Sequence, residues 1–343
     1  MTPSVAIDGN SIRRALPPGV LVGGLSLLVA MLFVASLGIG YARFDLLQAL
    51  RDVGGGAHTA SALVLIELRL PRALLGALVG FSLGLTGAAM QGLMRNPLAE
   101  PGIVGISGTA ALGAVAVFYF GLAGTFPLVL PLGGVAGAIV STVLLFGLAG
   151  RGAGTTTLIL AGVAINSFAA ALTSLALNLA PNPFAVTEIV YWLLGSLADR
   201  SLPYVWLVLP LMVAGWALII TAAPALDALT LGEDTATSLG FNLARLRLQL
   251  IGGTALAVGS AVAVTGAVSF VGLVVPHLLR PWVAHRPGRL LFASGLGGAA
   301  LTLAADISVR VLPVRPELKL GVVTAIIGAP FLFNLIWRLR AEP

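Results

Sequence analysis

The distribution of charge along this chain leaves little choice of solvent. No Asp, Glu, Lys or Arg occurs from Ala15 to Ala42, Ala73 to Met94, Pro101 to Gly150, Gly152 to Thr187, Ser201 to Leu226, Leu248 to Leu279, Leu290 to Ala305 or Leu320 to Trp337. A bilayer crossing takes roughly 20 apolar residues as a helix. The run Pro101–Gly150 is long enough for two crossings with a break near Gly124–Pro131, and Leu248–Leu279 holds two with a break near Gly266. Ten crossings follow. A soluble domain carries about a quarter charged residues, whereas this chain of 343 has 9% charged and 58% apolar residues. Lipid leaves backbone polar groups no partner but each other, which selects helices. The expectation is an all-α polytopic membrane protein formed by one transmembrane domain, residues 1–343.

The 43 glycines suit close helix packing in lipid, where small residues let backbones approach. No cysteine is present, so disulfides and thiolate metal sites are excluded, and His58, His277 and His285 are too scattered to form a ligand cluster. No metal site is expected in this chain. Arg13 and Arg14 precede an apolar run from Leu21 to Tyr41, longer than a signal-peptide core. It reads as the first retained crossing. An even number of crossings puts both ends on one side, and the positive-inside rule places them in the cytoplasm with residues 1–18. That orientation gives the inner segments eleven of the 19 basic residues. The outer ones include Arg69, Arg72, Arg310, Arg315 and Lys319, all at outer helix ends, where an acidic partner can dock or long side chains simply snorkel.

Residues 69–108, RLPRALLGALVGFSLGLTGAAMQGLMRNPLAEPGIVGISG, join an Arg-x-x-Arg helix start to a glycine-rich crossing and an Asn-Pro turn. Pro97 and Pro101 remove backbone donors, so the helix should end near Arg95. This stretch closely resembles the permease subunits of type II ABC importers, the group that takes up ferric siderophores, haem and cobalamin. LILAGVAINS (158–167), YWLLGSL (191–197), LTLGEDTATSLG (229–240), GAVSFVGLVVPHLLR (266–280) and ELKLGVVTAIIGAPFLFNLI (317–336) match the same family in order. The resemblance implies ten helices per subunit, two subunits per pore, and a bacterial inner-membrane location with cytoplasmic termini. It also implies a homodimer with two ATP-binding subunits below and a periplasmic substrate-binding protein above. ATP and Mg would belong to the ATPase partner, with no cofactor in this chain and no nucleic-acid partner.

The resemblance further assigns roles by position. Arg69, Arg72 and Arg310 align with outer arginines that meet glutamates of the binding protein, a task suited to the guanidinium fork. Asp306, four residues before Arg310, is placed to pair with it within the chain instead. Asn96 and Leu98, with Thr155 and Thr156, match positions that close the pore near the cytoplasm; the two threonines also suit a helix cap. Segment 223–243 is expected to couple to the ATPase through Leu231, Gly232, Glu233, Ala236, Leu239 and Gly240, with Asp234 or Thr235 as a cap and Ala236, Leu239 and Gly240 as a small apolar face. Val271–Arg280 becomes a short crossing with Pro276 and His277 near its inner end, His277 serving packing rather than catalysis.

Two other classes compete. The GISG segment (105–108) has the form of a serine nucleophile motif, but such a serine needs a histidine within hydrogen-bond reach. A secondary transporter needs intramembrane acids or ion-binding broken helices, and here Glu100, Glu188 and Asp306 lie only near boundaries. No phosphate-binding loop is present, so an ATP-driven system requires a separate ATPase chain and this chain is no enzyme. Arg315 and Lys319 near the outer mouth favour an anionic chelate, haem before a ferric siderophore, with cobalamin as the alternative.

Overall fold

The computed structural model describes residues 16–40, 45–57, 59–126, 128–150, 154–312, 314 and 316–341, and among them every regular element is helical. In chain order these are α1 (Pro18–Gly38), α2 (Leu46–Gly54), α3 (Ala60–Met94), α4 (Ile106–Tyr119), α5 (Val129–Ala149), α6 (Thr155–Asn178) and α7 (Pro183–Leu193). They continue with α8 (Leu202–Thr221), α9 (Ala223–Leu229), α10 (Glu233–Ser238), α11 (Leu243–Thr265), α12 (Val271–Leu279), α13 (Pro287–Val311) and α14 (Leu320–Ala341). Seven are long and apolar enough to cross a bilayer: α1, α3, α5, α6, α8, α11 and α13. Four shorter apolar helices join them among the described residues, namely α4, α7, α12 extended by a 3₁₀ turn to Val283, and the Leu320–Leu335 stretch of α14, a total roughly consistent with the ten crossings expected. At 11 residues, α7 reaches only about half of a bilayer core.

The breaks fall where backbone chemistry demands them. After Met94, Arg95 turns left-handed (φ 48°) and the Asn96 amide returns to the Gln91 carbonyl, closing the helix just before Pro97. Gly266 (φ 73°) ends α11, and a 3₁₀ turn at Leu122–Gly124 separates α4 from α5. One expectation needs correcting: Arg69-x-x-Arg72 does not start a helix. α3 begins at Ala60, where the Thr59 hydroxyl accepts the Ala62 amide, and passes through a π-turn at Val64–Arg69. Pro71 lacks an amide hydrogen and crowds the carbonyl four residues back; widening the preceding turn is one way a helix accommodates that. Arg13, Arg14, Arg43, His58, Arg151 and Arg315 lie outside the described residues.

Three helices form the interior. The most apolar stretches of α3, α11 and α13 are 78%, 78% and 67% buried, against 17% to 28% for α1, α5, α6 and α8. α3 and α13 run antiparallel and touch through their backbones: a methyl at Gly80 would overlap the Gly298 carbonyl, and one at Gly84 the Ser294 carbonyl. Around this seam Phe81 packs edge-on to Trp216 at 4.7 Å, and the Trp216 indole donates to the Ser82 hydroxyl at 2.9 Å. The seam ends in two poles. Arg72 and Asp306 meet at one, here called the arginine pole. At the other, the loop pole, Gly92 lies against Leu226 and Pro287.

Gly84→Ala is therefore expected to force α3 and α13 apart, at a cost of about 1–3 kcal/mol or more. Gly147→Ala, at an exposed glycine with nothing within 4 Å of a new methyl, should be neutral or slightly stabilising. Thermal melts of the two variants in detergent check this: only Gly84→Ala should melt earlier.

Candidate functional site

At the arginine pole three guanidinium groups expected to dock a partner converge on one cluster. The C-terminus of α1 leaves carbonyls without helical partners. Arg69 Nη1 donates to the Leu37 and Gly38 carbonyls at 2.8 and 2.6 Å. Arg310 Nη1 donates to the Ser36 and Ile39 carbonyls at 2.8 and 2.7 Å, and its Nη2 to the Ser36 hydroxyl at 2.6 Å. Two cations thus close one helix end, where the macrodipole is negative. Arg310 also pairs with Asp306 at 3.0 Å, the intrachain pairing that the four-residue spacing allowed.

Arg72 forks onto Asp306, with Nε at 2.9 Å and Nη2 at 2.8 Å from Oδ1, and it also pairs with Glu317. Asp306 is 1% exposed and so carries two cations out of solvent, whereas Glu317 is 23% exposed at the rim. A recess of about 380 Å³ opens over the cluster and is lined additionally by Arg200 and Lys319. Arg200 donates to the Val264 carbonyl at 2.6 Å and stacks 5.4 Å from the Tyr204 ring; burial pulls its guanidinium below the ordinary value. The Lys319 ammonium lies 5.3 Å over the Tyr191 ring. Ser36 and Glu317 did not stand out in the sequence, since both are joined to their arginines only by the fold.

The expected gate residues sit on either side of one contact. The Asn96 carboxamide accepts the Leu98 amide at 2.9 Å, fixing the Asn-Pro turn, and the chain then runs into a 3₁₀ turn at Pro101–Val104. That turn packs against Gly162 of α6, whose first turn carries Thr155 and Thr156. Asn96 and Thr156 are exposed, Leu98 and Thr155 half-buried. The threonines do not cap: Gly154 occupies the cap position and no side chain bonds there, because both hydroxyls lie inside the helix start.

At the loop pole α9 and α10 fill the segment expected to couple. α10 is bounded by Gly232 (φ 108°) and Gly240 (φ 90°), conformations that a Cβ disfavours. Gly232 takes the cap position in place of Asp234 or Thr235, and Glu233 is held by Arg247 Nη2 at 2.9 and 3.0 Å. Ala236 is fully buried, so it forms no outward face; the exposed apolar groups here are Leu231 (65%) and Leu239 (58%).

The competing chemistries find no site among the described residues. The His277 ring packs edge-on to Phe331 at 5.5 Å, and its Nδ1 has no hydrogen-bond partner. Ser107 lines a cavity of about 80 Å³ with Glu100. Asp306 is neutralised by Arg72 and Arg310, and no group of three or more His, Cys, Asp or Glu is placed to hold a metal ion.

Removing Asp306 strands two buried guanidiniums. Asp306→Ala should cost about 3–5 kcal/mol, and Glu317→Ala, at the rim, about 1 kcal/mol or less. Thermal melts in detergent should rank them in that order.

Comparison with known proteins places this geometry. The profile of the FecCD transport family matches residues 9–338. An uncharacterised ABC transporter permease protein, YvrB of Bacillus subtilis, is 40% identical over 280 residues, 80% of this chain and 78% of that one. The vitamin B12 import system permease protein BtuC of Vibrio parahaemolyticus is 39% identical over 278 residues, 80% of this chain and 82% of that one. The cobalamin import system permease protein BtuC of Halobacterium salinarum is 36% identical over 288 residues, 82% and 75% of the two chains. Among solved structures, a metal-chelate type ABC transporter in an inward-facing conformation superposes with a TM-score of 0.81 at 29% identity, covering 94% of this chain and 99% of that one.

Proposed function

This chain belongs to the FecCD transport family, and we propose that it is the transmembrane permease subunit of an ATP-driven importer of a bulky metal chelate, working as a homodimer in a bacterial inner membrane. One observation carries the reading. An all-helical membrane bundle without a phosphate-binding loop presents, at one pole, a glycine-bounded helix with exposed Leu231 and Leu239. That surface suits a groove on a separate ATPase, which would hold ATP and Mg and perform the only covalent chemistry. Gly232, Glu233 and Gly240 shape the segment, and Ala236 roots it.

The loop pole is then cytoplasmic, as are both termini, and the arginine pole faces a substrate-binding protein. Arg72 is the docking arginine best placed to exchange partners, because its Glu317 partner is at the rim. Arg69 and Arg310 support the site by closing α1. The second copy would meet this one through the exposed faces of α6 and α14, which present Leu160, Phe168, Phe333 and Trp337. Asn96, Leu98, Thr155 and Thr156 from both copies would line the cytoplasmic gate of the pathway between them.

Among cargoes, a cobalamin-type corrinoid is supported by the relatives that carry that name. The sequence favours haem through Arg315 and Lys319; Lys319 lines the recess and lies over the Tyr191 ring, and Arg315 is outside the described residues.

The test is uptake into proteoliposomes holding the permease, its ATPase and its binding protein, with cobalamin, haem and a ferric siderophore supplied in turn. ATP-dependent accumulation of cobalamin, abolished in Arg72→Glu, is the expected result; accumulation of haem alone reverses the cargo order. No ATP-dependent uptake of any of the three contradicts the reading. Paired substitution Leu231→Asp and Leu239→Asp should weaken retention of the ATPase at least about tenfold, roughly 1.4 kcal/mol, as read by pull-down.

A further inference from the structure

One carboxylate at the loop pole is spent on a helix far from it in sequence. Asp227, in α9, accepts the Gly288 amide through Oδ1 at 2.7 Å. Gly288 is in the first turn of α13, where amides have no helical partner and the macrodipole favours an anion. A methyl at Gly288 would lie 2.8 Å from Asp227 Oδ2, so an alanine there would push the carboxylate out of this position. The neighbouring Leu226 and Pro287 close on Gly92 of α3, so α9 grips both helices of the seam at once.

The grip matters because of what the seam is. α13 runs unbroken for 25 residues from Pro287 to Val311, about 37 Å at 1.5 Å per residue. It is set against α3 by backbone contact at Gly80 and Gly84 and by the Arg72 fork onto Asp306. A pair packed backbone to backbone has no soft layer in which to absorb a displacement. Whatever moves α9 against the start of α13 is carried to its other end, where Asp306 and Arg310 hold Arg72 and the end of α1.

We propose that Asp227 is a positioning residue for transport: its carboxylate clasps the ATPase-seating segment to the α3–α13 pair, so that a nucleotide-driven shift of the loop reaches the arginine pole through one rigid strut. This rests on the permease reading above. Linkage makes the effect reciprocal, so occupancy of the arginine pole biases the loop by the same amount.

The chain has no native cysteine, so spin labels can be placed at will. Val311→Cys, exposed at the end of α13, reports the arginine pole, and Val143→Cys, exposed on α5 outside the strut, is the reference. Distances between the two copies are measured by double electron–electron resonance in the permease–ATPase complex in nanodiscs, without nucleotide and trapped with ATP and vanadate. In the unaltered chain both labels should shift. In Asp227→Ala and in Gly288→Ala the Val311 shift should fall below half while the Val143 shift persists and the ATPase still co-purifies. Asp227→Asn, which keeps an acceptor, should retain most of it.

An undiminished Val311 shift in Asp227→Ala and Gly288→Ala overturns the clasp, as does equal loss at both labels, the mark of a merely structural role. If Asp227→Ala does not fold, Gly288→Ala and Asp227→Asn decide. No nucleotide-dependent shift at Val311 in the unaltered chain also overturns it. Failure of the unaltered chain to bind the ATPase contradicts the permease reading itself.

Discussion

The backbone contact between α3 and α13 is what the remainder of the molecule is arranged around. Lipid gives two apolar helices no hydrophobic reason to associate, so association depends on how closely the backbones approach and how well the surfaces fit. Gly80, Gly84 and Gly298 remove the side chains that would hold these helices apart, and Gly87 does the same for the carbonyl of Gly272 at the start of α12. The price of so many helical glycines is a weaker intrinsic propensity, offset by packing that a Cβ would prevent. α11 completes the interior, and the more exposed α1, α5, α6 and α8 surround it.

From this seam the two poles acquire their character. At one, an ion cluster centred on the buried Asp306 ties three helices: Asp306 of α13 holds Arg72 of α3, and Arg310 reaches the last carbonyls of α1. A buried ion pair is weak evidence of stability, since desolvation opposes attraction; its value here is positional. At the other pole the exposed leucines of a glycine-bounded turn stand beside the carboxylate that grips α13. The proposed partners, one at each pole, call for a stiff element between them, and the seam is the element proposed for that role.

Much of the architecture is legible in the sequence. Charge-free runs located the crossings because a charge in lipid is expensive, and the breaks at Arg95 and Gly266 were legible because proline and left-handed glycine end helices locally. What escaped was nonlocal. The Asp306–Arg310 pair was open to inspection at four residues' spacing, but the engagement of Glu317, Ser36 and Asp227 spans 245, 274 and 61 residues of chain. Arg69-x-x-Arg72 lies inside α3 and not at its start, because the chain passes through a π-turn at Val64–Arg69 that no local signal announces. At Ala236 the composition suggested an outward face, while tertiary packing turned it inward.

Transmission between the two poles requires α3 and α13 to behave as one body. Amide hydrogen exchange on the lipid-reconstituted permease–ATPase complex, with and without bound ATP, tests that directly. The account predicts the slowest exchange of the whole chain along Gly76–Leu93 and Leu290–Leu303, unchanged by nucleotide, while segment 230–241 changes with it. Exchange along either helix that rises on ATP binding, or that matches the rate in α5 or α6, would contradict it.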